Sequence, residues 1–154
     1  MIFESSSLAR ISASQSSNEK KEGYSLYRCL AQALQMFYER LALEVNARVA
    51  GLEVIKPAVV RGVSEVGHRF TFLAADGAKM LGFDIFQEVT EIEVLRSFVK
   101  TIDTGATVFL ICLSGRPKPA AAAMAKGYGI EILTPAEVGE FFTKRITRQI
   151  AMVG

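Results

Sequence analysis

The run Ala106-Thr-Val-Phe-Leu-Ile-Cys-Leu113 constrains the architecture more than any other stretch of this chain. Its eight residues are almost wholly apolar and show no alternation between apolar and polar side chains. A half-buried strand alternates with a period of two. A continuous apolar run of this length, with β-branched and aromatic residues, reads as a strand covered on both faces. Residues 106–113 are therefore expected to be a central strand, with neighbours on both sides and helices above and below.

The remaining elements follow from local pattern. Leu26, Leu30, Ala33, Leu34, Phe37, Leu41 and Val45 recur at three and four, which predicts a helix from Ser25 to a glycine stop at Gly51. Three strands follow, Glu53–Val60, His68–Ala75 and Lys79–Val89, with a bend at Pro57 and a hairpin at Asp76-Gly77. Thr90-Glu-Ile-Glu93 is a capping box, and Ile92, Leu95, Phe98, Val99 and Ile102 are the apolar stripe of the helix it opens. After the central strand come an alanine-rich helix at 118–126, the short strand Ile130–Leu133, and a last helix opened by Thr134-Pro-Ala-Glu137. The order is α-β-β-β-α-β-α-β-α. The late β-α-β unit requires a right-handed parallel crossover beside an antiparallel meander. The expected fold is a single three-layer α/β domain over residues 23–154, a mixed sheet with helices on both faces. Residues 1–22, rich in serine, read as a flexible arm.

The chain has 154 residues, enough for one core, and half of them are hydrophobic, which excludes a disordered protein. A net charge of +2 names no partner by itself. No apolar run reaches the roughly 20 residues needed to cross a bilayer, so no membrane partner is expected, and the N-terminus lacks the pattern of a secretion signal. A cytoplasmic location is the expectation. Cys29 and Cys112 sit in apolar surroundings and read as buried thiols. The sole histidine, His68, lies three residues before Thr71, which places the two on opposite faces of a regular strand.

Two segments carry a resemblance. "GHRFTFLAADGAKMLGFDIF" (67–86) is laid out like the catalytic hairpin of the restriction-endonuclease-like, or PD-(D/E)xK, superfamily, and "GATVFLICLSGRPKPAAAAMAKGYGIEILTPAEV" (105–138) resembles the end of Mrr-like and Holliday-junction-resolvase-like domains. The resemblance covers roughly residues 25–142 and implies the α-β-β-β-α-β core of that superfamily. It also implies a site in which acids on two strands hold a divalent cation and a lysine supports the developing charge. Thr71 stands where the first acid is expected. Asp84 stands for the second, with no lysine two residues on, and Lys100 on the following helix is the displaced lysine. Glu39 on the first helix is a further candidate acid. Read this way, Asp84 would hold Mg²⁺ weakly or not at all, and the implied function is a catalytically degenerate nuclease-like domain that binds nucleic acid. The bland reading makes Asp84 a solvent-facing hairpin residue.

Three alternatives stand beside it. The same residues read as an active metal-dependent DNA endonuclease using Asp84 and Lys100. "CLSGR", Cys112 to Arg116, resembles the anion loop of rhodanese-like sulfurtransferases, although Pro117 occupies the place of its closing arginine. A non-catalytic assembly module, with the C-terminal "QIAMVG" meeting a second copy as a homodimer, is the last. For nucleic-acid binding the candidate cations are Arg116 and Lys118 before a helix N-terminus, and Lys144, Arg145 and Arg148.

Overall fold

The computed structural model describes residues Ile2–Val153, with side-chain placement described from Lys20 to Met152. Helix α1 runs Ile2–Val49. The pattern from Ser25 is helical as expected, but the helix begins far upstream, within the serine-rich stretch. That stretch has no proline and its first glycine is Gly23. Serine disfavours a helix only by a fraction of a kcal/mol against alanine. The chain divides into two compact units, Met1–Gln35 and Met36–Gly154, a boundary further along than the residue-22 division read from composition. In the first unit Tyr24, Leu26, Tyr27, Leu30 and Leu34 are exposed.

The second unit is a mixed α/β domain. The end of α1 is closed by a paired hydrogen-bond cap: the Gly51 amide donates to the Arg48 carbonyl and the Leu52 amide to that of Ala47. The strands are β1 Glu53–Val54, β2 Val59–Arg61, β3 Gly67–Arg69, β4 Phe72–Asp76, β5 Lys79–Phe86, β6 Thr107–Cys112 and β7 Glu131–Leu133. The helices are α2 Glu91–Thr104, α3 Pro119–Tyr128 and α4 Pro135–Val153. The main sheet has the order β1-β4-β5-β6-β7. Its first three strands are antiparallel, and β6 pairs in parallel with both β5 and β7. The apolar run thus forms an interior strand flanked on both sides, as its composition requires.

The first two expected strands are each broken. Pro57 interrupts one, and the other breaks at Phe70-Thr71, so β2 and β3 pair in a separate two-stranded ribbon. Isolated backbone bonds bridge the break: Ile55 donates to Leu73 and Phe70 to Ala58.

Each face of the sheet has its own core. Leu81, Phe83 and Ile85 point to one side with Phe72, Phe109 and Ile111, under Leu43 and Ala47 of α1 and Val138 and Phe142 of α4. The Phe83 ring stacks on Phe109 with centroids 5.0 Å apart. On the other side, Leu110 and Cys112 pack with Val94 of α2 and Ala121 and Ala125 of α3. Phe70, Leu73, Ala106 and Val108 extend that side toward the strand break.

Helix α2 departs from expectation in orientation. Its capping box forms, with Glu93 accepting from the Thr90 amide at 2.7 Å. The stripe expected to face the core does not: Ile92, Leu95, Val99 and Ile102 are exposed, while Val94 and Ser97 are buried. The side that carries Ser97, Lys100 and Thr101 faces the sheet, because Lys100 has a buried partner there.

Candidate functional site

Along β5, Met80, Gly82, Asp84 and Phe86 alternate with the core residues and face α2. Asp84 is only 5% exposed, so its expected place on a solvent-facing hairpin is overturned. A carboxylate at such a position needs partners, since burying an unpaired charge is costly. It has two. The Thr71 amide donates to Oδ1 at 3.0 Å, and Lys100 Nζ donates to Oδ2 at 2.7 Å.

Thr71, Asp84 and Lys100 therefore converge, but their contacts differ from those of a metal site. Thr71 sits at the strand break. Its hydroxyl accepts from the Ile85 amide at 3.2 Å, standing in for a ladder bond that the broken strand no longer offers. Lys100 is fully engaged. Besides Asp84 it donates to the Arg69 carbonyl at 2.6 Å, and it lies 4.7 Å from the centroid of the Phe70 ring. A cation over an aromatic face is attracted by the ring quadrupole. The ring in turn occupies the space left by Gly82: a Cβ there would lie 2.5 Å from Phe70. Gly82 is thus a close-approach position.

A second cluster lies one helical turn further along α2. Asp103 accepts from the Ser64 amide at 2.9 Å, from the Ser64 hydroxyl at 2.6 Å, and pairs with His68 Nε2 at 2.6 Å. These hydrogen bonds, with those of Ser64 foremost, hold the Asp103 carboxyl at a pKa of about 2. Gly62 makes the approach possible, since any Cβ would overlap the Asp103 carboxylate. His68 reaches this cluster from β3. Asp103 carries no local signal in the sequence, because its partners are Ser64 and His68 of β3, 39 and 35 residues upstream.

Glu39 is half-buried on α1 and makes no ion pair or side-chain hydrogen bond among the described residues. The acid of that helix nearer to Thr71 is Glu44. It lines a cleft of about 320 Å³ with Arg40, Lys56, Pro57 and Thr71. Glu44 is bonded to Lys56 at 2.9 Å and Arg48 at 3.1 Å, and the Lys56 bond foremost lowers its pKa.

The basic candidates fall into two groups. Arg116 and Lys118 are exposed in the β6–α3 loop, and neither makes an ion pair among the described residues. Lys144, Arg145 and Arg148 line a cavity of about 370 Å³ on α4 together with Glu131, Glu137 and Glu140. Three cations thus face three carboxylates, and Arg145 is further paired with Asp76. Cys112 is fully buried in the α2–α3 core, its sulfur 3.2 Å from the Ser114 hydroxyl, without the exposure a nucleophilic thiol needs.

The donor set does not fit the divalent cation of the restriction-endonuclease-like site. Magnesium is usually held by one or two carboxylates with room for several waters. Asp84 is the one carboxylate, and a lysine and an amide occupy it. Among the described residues no group of three His, Cys, Asp or Glu side chains could hold a metal ion. No described helix is long and apolar enough to cross a membrane. The chain matches no family model, no curated protein and no solved structure.

Proposed function

We propose that this chain is a non-cleaving domain of restriction-endonuclease-like layout that binds nucleic acid through its unpaired surface cations. The observation that carries the reading is the Lys100 ammonium, held at once by Asp84, the Arg69 carbonyl and the Phe70 ring. A lysine that serves phosphodiester chemistry must reach the nucleophile or the developing charge. Lys100 is committed to the scaffold, and Asp84 is committed to Lys100. Arg116 and Lys118, which make no ion pair among the described residues, supply charges that phosphate contacts use. The cleft beside Thr71 contributes less, because its Lys56 is paired with Glu44. The α4 cavity contributes less, because its cations face glutamates.

The test joins two assays on the full chain. Duplex, single-stranded and branched DNA incubated with Mg²⁺ or Mn²⁺ should remain uncut. Fluorescence anisotropy should show binding that persists in EDTA, weakens as salt rises, and falls in Arg116→Glu/Lys118→Glu. Metal-dependent cutting abolished by Asp84→Ala would overturn the non-cleaving part. Absence of binding at low salt would overturn the nucleic-acid part.

A further inference from the structure

The β2–β3 ribbon is a two-stranded sheet of its own, and its two faces differ. Pairing sets Val59 opposite Arg69, Val60 opposite His68 and Arg61 opposite Gly67. Side chains alternate across a strand, so Val60 and His68 share one face and Arg61 and Arg69 the other. The first face is turned inward: Val60 packs on the core around Phe70 and Leu73, and His68 pairs with Asp103. The second is exposed, and neither of its arginines makes an ion pair among the described residues. Residues 55–70 hold one acid, Glu65, against Lys56, Arg61 and Arg69. This outward face is also fixed in place. Helix α2 grips the ribbon at both ends: Lys100 donates to the Arg69 carbonyl at 2.6 Å, while Asp103 accepts from Ser64 and His68 and its carbonyl takes the Val63 amide. In the loop, Glu65 adopts a φ of 70°, a conformation uncommon outside glycine. Its carbonyl accepts from Arg61 Nε at 3.1 Å, which steadies that guanidinium. A cation already held in position loses less freedom when it meets an anion.

We propose that the β2–β3 ribbon seats in the major groove of duplex DNA, with Arg61 and Arg69 on phosphates at its two walls and Val63 toward the base edges. This rests on the nucleic-acid reading above and adds which element docks and which form of nucleic acid it takes. Charge selects the partner: two unpaired arginines on one rigid face attract phosphate, and no carboxylate shares that face. Shape selects the form. Paired strands lie about 4.8 Å apart, and the major groove of B-form DNA, about 12 Å wide, admits a two-stranded ribbon. The deep, narrow major groove of duplex RNA does not. One arginine comes from each strand, so each serves one wall. Val63 in the connecting loop is 91% exposed, an apolar side chain that the fold itself does not use and that base edges and thymine methyl groups accept. The ribbon is fastened to the C-terminal end of α2, which leads into β6, whereas Arg116 and Lys118 follow the end of β6. The two sets of cations are therefore separable by mutation.

The experiment is a set of salt-dependent anisotropy titrations of the full chain on duplex DNA and on duplex RNA of matching sequence. Arg61→Gln/Arg69→Gln should weaken DNA binding on the order of tenfold or more and lower the slope of log affinity against log salt by about 2. Arg61→Lys/Arg69→Lys keeps both charges and should keep the slope. Val63→Ser should weaken DNA binding without changing the slope. Duplex RNA should bind more weakly than DNA and should not respond to Val63→Ser. Both arginines are exposed, so the glutamine variant should retain its circular dichroism spectrum and cooperative melt. Should it lose them, Arg69→Gln alone, which leaves the Arg61–Glu65 bond intact, carries the test with a slope change of about 1. No wild-type binding to DNA at low salt would sink the nucleic-acid reading and this proposal with it. Wild-type binding that falls in Arg116→Glu/Lys118→Glu but is unchanged in Arg61→Gln/Arg69→Gln would overturn the ribbon alone. Equal affinity for duplex RNA would overturn its place in the major groove.

Discussion

Lys100 Nζ lies 2.7 Å from Asp84 Oδ2, and this ion pair ties α2 to the one buried carboxylate of β5. The same ammonium holds the Arg69 carbonyl at the end of β3, so a single side chain fastens the helix, the main sheet and the point where the second strand breaks. Lys100 and Asp84 together are the bolt between three elements.

The first prediction separates a structural pair from a catalytic one. Lys100→Met leaves the Asp84 carboxylate buried without its counter-charge, which typically costs about 3–5 kcal/mol. For a chain of this size that is on the order of 10 °C in the thermal midpoint. Asp84→Asn/Lys100→Met removes both charges and should recover much of the loss, because a buried pair contributes little against an apolar replacement. Urea denaturation of the two single variants and the double variant measures the coupling. A double variant as unstable as the sum of the singles would show that the two residues do not act together.

Gly82 gives a second prediction. A Cβ would meet the Phe70 ring at 2.5 Å, and that ring also supports Lys100. Gly82→Ala should therefore cost about 1–3 kcal/mol by overpacking. Phe70→Leu should be less harmful in the Gly82→Ala background than in wild type, because the smaller side chain vacates the contested space. Additive losses would mean the ring moves aside freely.

Much of this fold was legible from the chain. The apolar run became an interior strand, the glutamates of Thr90-Glu-Ile-Glu93 and Thr134-Pro-Ala-Glu137 reach back to their caps, and Asp76 and Lys79 close the hairpin. Thr71, Asp84 and Lys100 could be singled out along the chain, but where the Lys100 side chain points, and what the three do together, could not be read from it. The third partner of Lys100 is a backbone carbonyl, which leaves no mark in a sequence. The orientation of α2 was hidden for a related reason: periodicity reveals two faces but not which one turns inward, and here a buried aspartate decided it.

A third prediction concerns metal. Were Asp84 a cation ligand, Mg²⁺ or Mn²⁺ would have to displace Lys100, and binding to the folded state would raise the thermal midpoint with concentration. The expected result is no shift with either ion beyond that produced by matched ionic strength. A saturable rise lost in Asp84→Asn would return Asp84 to the role of ligand.

The last prediction is a dependence on pH centred on Asp103. Hydrogen bonds from Ser64 and His68 lower its carboxyl from 3.8 to about 2 in the folded protein. A carboxyl with a depressed folded pKa binds protons more readily when unfolded. Stability then falls as protons are added. The contribution of Asp103 is thus complete above about pH 4 and is lost as pH falls toward 2. In Asp103→Asn this part of the acid dependence should disappear, while the same amide should still accept weakly from Ser64. Denaturation midpoints measured between neutral and acid pH should show the wild-type and variant curves converging at the acid end. Hydrogen exchange gives the local readout. The Ser64 amide donates directly to Asp103 Oδ1, and the Val63 amide donates to the Asp103 carbonyl. Asp103→Asn should speed exchange at Ser64 more than at Val63, whose acceptor is unchanged. Curves that stay parallel down to acid pH would show that the Asp103 cluster does not stabilise the fold.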